Sequence, residues 1–345
     1  MKFWFERGAW ASPRAMRKIS EKTADQIKSI AVIRHAALGD MVLTRPFLLE
    51  LRKHFPRATI TLSLIRNYTY GAPEDLVDRT HLAYGYGKDQ PKVSFFKQFR
   101  KMRELGYHDI IFDLAAVTRS VWTCILNPAW LKIGFPYHTS LGKWIYDAQV
   151  FRSDFKFEAE MLLDTLNLLG FRTEYPLNFH ISADHMLREM PYIIYFTGAA
   201  DPKKQWPLSL FGQFINKMTG AYPSYEHLVL EGMKPWEKLP EIMSGLKQVK
   251  NVTPLKAQDL DKTISLLKGA RLVISNDTGI RNLAIAAGTP TIGIFFITIP
   301  FRYWPRFGLH EIIYRSDGNV PTVDMVFKAA QNIIKIIENN KVANQ

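Results

Sequence analysis

The tetrapeptide Asn276-Asp277-Thr278-Gly279 follows the apolar run Arg271–Ser275 and precedes a short helical pattern that opens near Ile280 and closes at Gly288. Polar and glycine residues at a strand-to-helix turn leave backbone N–H groups at the helix N-terminus. There the donors and the helix dipole together favour an anion. A diphosphate fits that chemistry. The competing role for Asp277 or Thr278 is a plain helix cap. A second cluster, Lys203-Lys204 ahead of Trp206-Pro207, follows the run Tyr192–Gly198. Lysines are point charges suited to phosphate, although an adjacent pair also suits a solvated surface. A third segment, His35–Met41, holds Gly39, which permits close backbone approach, and Asp40. A carboxylate at Asp40 could take a proton from an attacking hydroxyl, or it could cap the helix that follows. The two roles compete, because a carboxylate bound by helix amides is a weaker base. Asp113 and Arg119, after the run Asp109–Leu114, are expected at an equivalent rim position.

Several chemistries are excluded. The sequence contains neither GxxxxGK[ST] nor GxGxxG, so the common mononucleotide and dinucleotide loops are missing. Asp259 and Asp261 imitate a metal-binding pair, but they open a helical pattern, where acidic residues stabilise the N-terminus. The nine histidines show no HExxH or other metal spacing, and the single cysteine, Cys124, rules out a disulfide framework or a Cys-rich zinc site. No metal and no cofactor are expected. Basic residues are dispersed, without a helix-turn-helix or RNA-binding signature, so no nucleic-acid partner is expected.

These candidate residues need elements to place them. The chain has 345 residues, enough for two domains, and 47% are hydrophobic. With 45 basic against 32 acidic residues the net charge is +13, which suits an anionic partner or surface. Residues 1–28 combine Phe3, Trp4, Phe5 and Trp10 with seven basic side chains. They read as a basic aromatic arm, either lying on an anionic membrane or fraying as a tail. No apolar run reaches the roughly 18 residues of a membrane span, and Met1–Lys28 lacks the apolar core of a signal peptide. Order is expected from Ser29. Strand runs at Ser29–Ala36, Ala58–Ile65 and Asp109–Ala115 alternate with helical patterns, the clearest being Lys156–Gly170. Pro46 is expected early in the helix after Asp40, with a kink. Phe171–Met190 loses period and reads as a linker. A second series follows, with strand runs at 192–198, 227–232, 249–255, 271–275 and 291–297 and a last helix near Val323–Asn339. The fold class is therefore α/β, with two doubly wound, Rossmann-like domains at 29–180 and 190–345, and a last helix able to pack back on the first. Ligands of such sheets sit beyond the carboxyl ends of the strands, where Asp40, Lys204 and Asp277 fall.

The segments Ile30–Pro56, Tyr107–Trp122, Lys132–Pro136, Lys203–Phe211 and Ser275–Phe295 occur in the order and spacing of glycosyltransferase family nine, the lipopolysaccharide heptosyltransferase family. The chain resembles that family from about Ile30 to Pro305. The resemblance implies a GT-B architecture, with two Rossmann-like domains facing across a cleft, the first binding the acceptor and the second the nucleotide sugar. It implies inverting transfer of a heptose from ADP-heptose to the inner core or lipid A region of lipopolysaccharide. The setting it implies is cytoplasmic, possible also at the periphery of the inner membrane. By motif match Asp40 would be the general base, Lys204 would contact the diphosphate, and Asp277, Thr278 and Gly279 would form the donor turn. Three positions depart from the family pattern around the donor. Asn282 stands where the family often has His, Phe296 where it has Gly, and Lys234 where it often has an acidic residue. Two alternatives follow, a transferase with another nucleotide sugar, or a binding protein on the same fold without activity. A sugar-nucleotide epimerase of GT-B type is a third.

Overall fold

Apolar runs without polar alternation, such as Ile30–Ile33 and Ile193–Phe196, are buried on both faces, as strands of a parallel sheet covered by helices must be. A computed structural model describes residues 10–85, 93–135, 142–238, 240, 243–244, 246 and 251–343. The chain divides into two compact units, Met1–Phe179 and His180–Gln345.

The first unit contains, in chain order, β1 (Trp10–Ala11), α1 (Pro13–Glu21), β2 (Ser29–Ile33), α2 (Leu38–His54), β3 (Thr59–Ile65), β4 (Arg79–Ala83), α3 (Phe95–Arg103), β5 (His108–Asp113), α4 (Thr118–Leu126), β6 (Ala129–Gly134), α5 (Gly142–Ile145), β7 (Ala148–Gln149) and α6 (Glu158–Asn167). Its sheet runs β1-β7-β6-β5-β2-β3-β4, parallel except for the antiparallel β1–β7 pair. The second unit contains β8 (Tyr192–Phe196), α7 (Leu208–Ala221), β9 (Glu226–Leu230), β10 (Val252–Leu255), α8 (Leu260–Gly269), β11 (Leu272–Asn276), α9 (Gly279–Ala286), β12 (Thr291–Ile294), β13 (His310–Ile313) and α10 (Val323–Ala343). Its six strands run β10-β9-β8-β11-β12-β13, all parallel. The last helix, α10, packs on α7, β12 and β13 of its own unit, with Val326, Ala330 and Ile333 in the same core as Trp206 and Phe214.

Three expectations change. Regular structure is already present ahead of Ser29, in β1 and α1. Trp10 and Ala11 pair with Gln149 and Ala148, and Ser12 caps α1 by accepting from the Ala15 amide. Lys18 is buried, its ammonium donating to the Trp130 carbonyl and pairing with Asp147 at 3.2 Å, while Lys22 lies over the Trp130 ring. These cations serve the fold because their ammonium groups are engaged by Asp147, Asp109 and Trp130. Phe3, Trp4 and Phe5, like Pro136 of the Lys132–Pro136 motif, lie outside the described residues. Second, α2 begins at Leu38, so Pro46 falls mid-helix, where its missing N–H leaves one carbonyl of the preceding turn without its helical partner. Third, β4, β6, β7 and β13 add strands that the apolar runs did not mark. The segment between α6 and β8 has neither helix nor strand. Its first part is tied to the first unit by the Arg45 Nε donating to the Phe179 carbonyl, its second by the Met186 amide bonding the Ser265 carbonyl.

In both sheets the strand order reverses beside the first parallel strand, between β2 and β5 and between β8 and β11. The chains leaving these neighbours go opposite ways, so backbone groups there need side-chain partners. In the second unit the partner is Asn276, fully buried. Its Nδ2 donates to the carbonyls of Thr197 and Gly198 at 2.8 and 3.0 Å, and its Oδ1 accepts from the Trp206 amide at 2.9 Å. In the first unit Arg34 donates to the Leu114 carbonyl, and Asp113 accepts from the amides of Ala115 and Ala116 at 3.0 Å each.

Asn276→Ala is expected to cost about 2–4 kcal/mol in urea unfolding, because three buried backbone groups lose their partner; a loss below about 1 kcal/mol would deny the residue that role. Stability should also fall in acid. Burial holds His35, helped by His81 and Arg119, and His310, helped by Arg281, down at about 3 in the folded chain, against an ordinary 6.5. The unfolded chain therefore binds more protons between these values. The stabilisation is complete above pH 6.5 and drains as pH falls toward 3, by roughly 1.4 kcal/mol per pH unit for each histidine. Thermal melts from pH 7.5 to 4.5 should show that slope, and it should flatten in a His35→Gln, His310→Gln double variant.

Candidate active site

The second unit gathers its candidate residues at the β8/β11 reversal. After β8 the chain makes a short 3-10 turn, Pro202–Lys204, capped by Asp201, whose Oδ1 accepts from the Lys203 amide. Trp206 then dives into the core. Its ring is fully buried against Phe211 and Phe214, and its indole N–H donates to the Pro321 carbonyl at 2.8 Å. That anchor, with the Asn276 bond to its amide, fixes where the preceding lysines go. Lys203 is exposed. Lys204 is half-buried and reaches Asp277, its Nζ 3.0 Å from Oδ2. The same carboxylate oxygen accepts from the Thr298 hydroxyl at 2.9 Å. Asp277 thus positions the ammonium instead of capping the helix. The cap is Thr278, whose hydroxyl accepts from the Arg281 amide. Gly279 opens α9, and the first-turn amides of Gly279 and Ile280 lie outside the helical ladder. Asn282 is buried one turn further on.

Two buried charged residues of this unit were not marked by spacing. Glu237 is buried between the glycines that follow β8 and β9. It accepts from the Lys234 amide at 2.9 Å, and a Cβ on Gly198 would come within 2.6 Å of its Oε1. Burial pushes its carboxyl above the usual carboxylate range, against the opposing pull of the Lys234 amide and ammonium. The two glycines were the available signal. Arg281 is fully buried, donating to the Tyr303 carbonyl and lying over the Phe295 ring, and burial lowers it to about 10. Gly293 leaves room for it.

In the first unit Asp40 lies in the first turn of α2, at its third residue, after the N-cap Ala37 and beside Gly39. It keeps about a third of its side chain exposed and faces Arg34, Nη2 to Oδ1 at 3.6 Å. Arg34 is itself buried and held 3.1 Å from Glu158, which also binds Arg152 at 3.1 Å. Glu158 has no exposed surface, so two guanidinium groups compensate one buried carboxylate. That is the condition under which a buried charge is tolerated. The same Nη2 that binds Glu158 is the one that faces Asp40.

Asp113 departs from expectation. Its carboxyl is not at a rim but fully enclosed, accepting from Tyr146 at 2.7 Å and Ser120 at 3.0 Å as well as from two amides. Burial raises its pKa against these donors. It holds the loop after β5, where Ala116 takes φ +51°, a left-handed conformation that alanine adopts only under constraint. Arg119 turns toward α3, its Nη2 3.4 Å from Gln98 Oε1, and lines a cavity of about 110 Å³ with Phe95, Phe99, Met102 and Trp122. Among the described residues no group of three or more His, Cys, Asp or Glu is placed to hold a metal, and no helix is long and apolar enough to cross a membrane.

Comparison with known proteins agrees with the two-sheet architecture. The profile of Glycosyltransferase family 9 (heptosyltransferase) matches residues 95–328. No curated protein matches by sequence. Among solved structures, a glycosyl transferase family 9 protein from Veillonella parvula superposes with a TM-score of 0.68 at 21% identity, over 90% of this chain and 98% of that one. E. coli heptosyltransferase WaaC with ADP gives 0.66 at 16% identity over 89% and 98%, and E. coli ADP-heptose lps heptosyltransferase II gives 0.65 at 16% over 90% and 99%. At these identities the likeness concerns the fold, the pair of Rossmann-like units that makes up GT-B. Since the profile spans most of the sequence, the chain belongs to glycosyltransferase family 9 and is a glycosyltransferase.

Proposed function

We propose that this transferase moves a heptose from ADP-heptose to the inner core of lipopolysaccharide, with inversion, at the cytoplasmic face of the inner membrane. The observation that carries the reading is the Lys204 ammonium held 3.0 Å from Asp277 at the head of α9, where the strand order of the second unit reverses. A nucleoside diphosphate needs a cation and free amides in one place, and this turn supplies both. That WaaC, a protein of the same fold, was solved with ADP supports an adenine nucleotide here.

In this reading the diphosphate lies along the amides of Gly279 and Ile280, with Lys204 on its oxygens. Asp277 and Thr298 keep the ammonium in place before the donor arrives. The acceptor hydroxyl attacks the anomeric carbon from the side opposite the phosphate. The new C–O bond forms as the bond to the diphosphate breaks, the hydroxyl proton passes to Asp40, and ADP leaves with the electron pair. Fixed donors at the point where charge grows on the leaving group lower the barrier without reorganising. The basic chain suits a phosphorylated, lipid-linked acceptor.

Asn282 favours a second reading, the same chemistry with another nucleotide sugar. A neutral amide can bond to the donor but cannot carry the charge of a histidinium. Thermal stabilisation by ADP-, UDP- and GDP-sugars separates the two, since only a ligand of the native state raises the melting temperature.

Asp40→Asn should lower kcat by about 10²–10⁴-fold, the usual worth of a general base, in an assay with ADP-heptose and heptose-deficient lipopolysaccharide. Its affinity for ADP, by calorimetry, should match that of the unmutated protein. Unchanged turnover would remove Asp40 from the mechanism. Lys204→Ala should weaken ADP binding by about tenfold or more, the cost of one charged hydrogen bond; equal affinity would place the diphosphate elsewhere.

A further inference from the structure

The first unit exposes an aromatic and cationic face that the transfer chemistry leaves unused. Phe95 and Phe96 at the start of α3 are 71% and 82% exposed, Trp122 and Ile125 on α4 are 49% and 43% exposed, and Trp144 on α5 is 89% exposed. The three helices are neighbours. α3 and α4 share the cavity lined by Phe95, Phe99 and Trp122, and α5 packs on α4. Single exposed apolar residues are ordinary, but five large ones on adjoining helices form a patch that marks an interaction site.

Charge narrows the partner. The same helices expose Lys97, Arg100 and Arg103 on α3 and Lys143 on α5, and none of the three contains a carboxylate. Glu104, just past α3, is taken by Lys101 at 2.6 Å. Phe95-Phe96-Lys97 and Lys143-Trp144 set ring and cation side by side along the chain. A second copy offering this face would bring like charges together. A bilayer with anionic headgroups meets both features, since rings settle at the headgroup level and cations pair with lipid phosphates.

We infer that the face formed by α3, α4 and α5, centred on Phe95, Phe96, Trp122 and Trp144, is where this protein docks on an anionic membrane surface. The docking rests on this surface alone and is independent of the donor and acceptor proposed above, so a failed transfer assay leaves it standing.

Vesicle flotation tests it with the full chain. The protein should float with vesicles of phosphatidylcholine mixed with phosphatidylglycerol, stay behind with phosphatidylcholine alone, and be released by salt. A Phe95→Ser, Phe96→Ser variant and a Lys97→Glu, Arg100→Glu variant should each partition at least about tenfold more weakly. A Lys328→Glu, Lys335→Glu variant, with the same change in charge on exposed positions of α10, should float as the unmutated protein does. All three should melt with it, because the altered side chains are exposed. Failure of the unmutated protein to float, patch variants that still float, or equal loss in the α10 variant would overturn the assignment. So would light scattering in which Phe95→Ser, Phe96→Ser turns a dimer into a monomer with no effect on flotation, which would give the face to a second copy.

Discussion

A doubly wound sheet has one place where its backbone cannot satisfy itself. Where the strand order reverses, neighbouring chains depart to opposite sides and the carbonyls and amides between them point into a gap. Both units close this gap with a buried polar side chain of fixed geometry. In one unit Asn276 bridges two carbonyls and an amide. In the other Arg34 and Asp113 divide the work. The candidate site residues hang from these closures. Trp206 is positioned by Asn276 and in turn fixes Lys204, and Arg34 faces Asp40. The candidate groups are thus set by polar accounting within each sheet, and their loops need little rigidity of their own.

The two closures differ in electrostatic character. Around Asn276 the bonded groups are neutral, and Lys204 and Asp277 pair at the edge of solvent. Around Arg34 the charges are interior, with Glu158 between two guanidinium groups. Removing one member of such an interior set strands the others, which is more costly than the set is worth as a source of stability. The same set faces the partly exposed carboxylate of Asp40.

Much of this was legible in the sequence, and the remainder was not, for physical reasons. Parallel strands buried on both faces announce themselves as apolar runs, so β2, β3, β5, β8, β9, β11 and β12 were readable. Strands such as Arg79–Ala83 and His310–Ile313 mix charge with apolar residues and carry no such signal. The turn Asp277-Thr278-Gly279 and Lys204 were readable as candidates, but not that one residue caps and the other holds the lysine, because their partners lie 73 residues apart. Asp113 misled for the same reason. Its inward turn depends on Tyr146, 33 residues on, and on Gly134, where a Cβ would strike the tyrosine ring at 2.7 Å. Glu237 was hidden because its place beside Gly198 exists only once β8 and β9 are paired. The segment ahead of Ser29 read as a membrane arm or a frayed tail because its cations look solvated in sequence, whereas the Lys18 ammonium is buried against Asp147 and the Trp130 carbonyl.

That segment also governs how the first sheet ends. Trp10 and Ala11 lie antiparallel on β7, which otherwise would present the open main-chain amides and carbonyls of Ala148 and Gln149. Unsatisfied strand borders recruit strands from other molecules. A recombinant version shortened to begin at the parallel core would keep every group discussed for chemistry yet lose this cover, and would be prone to clump during purification.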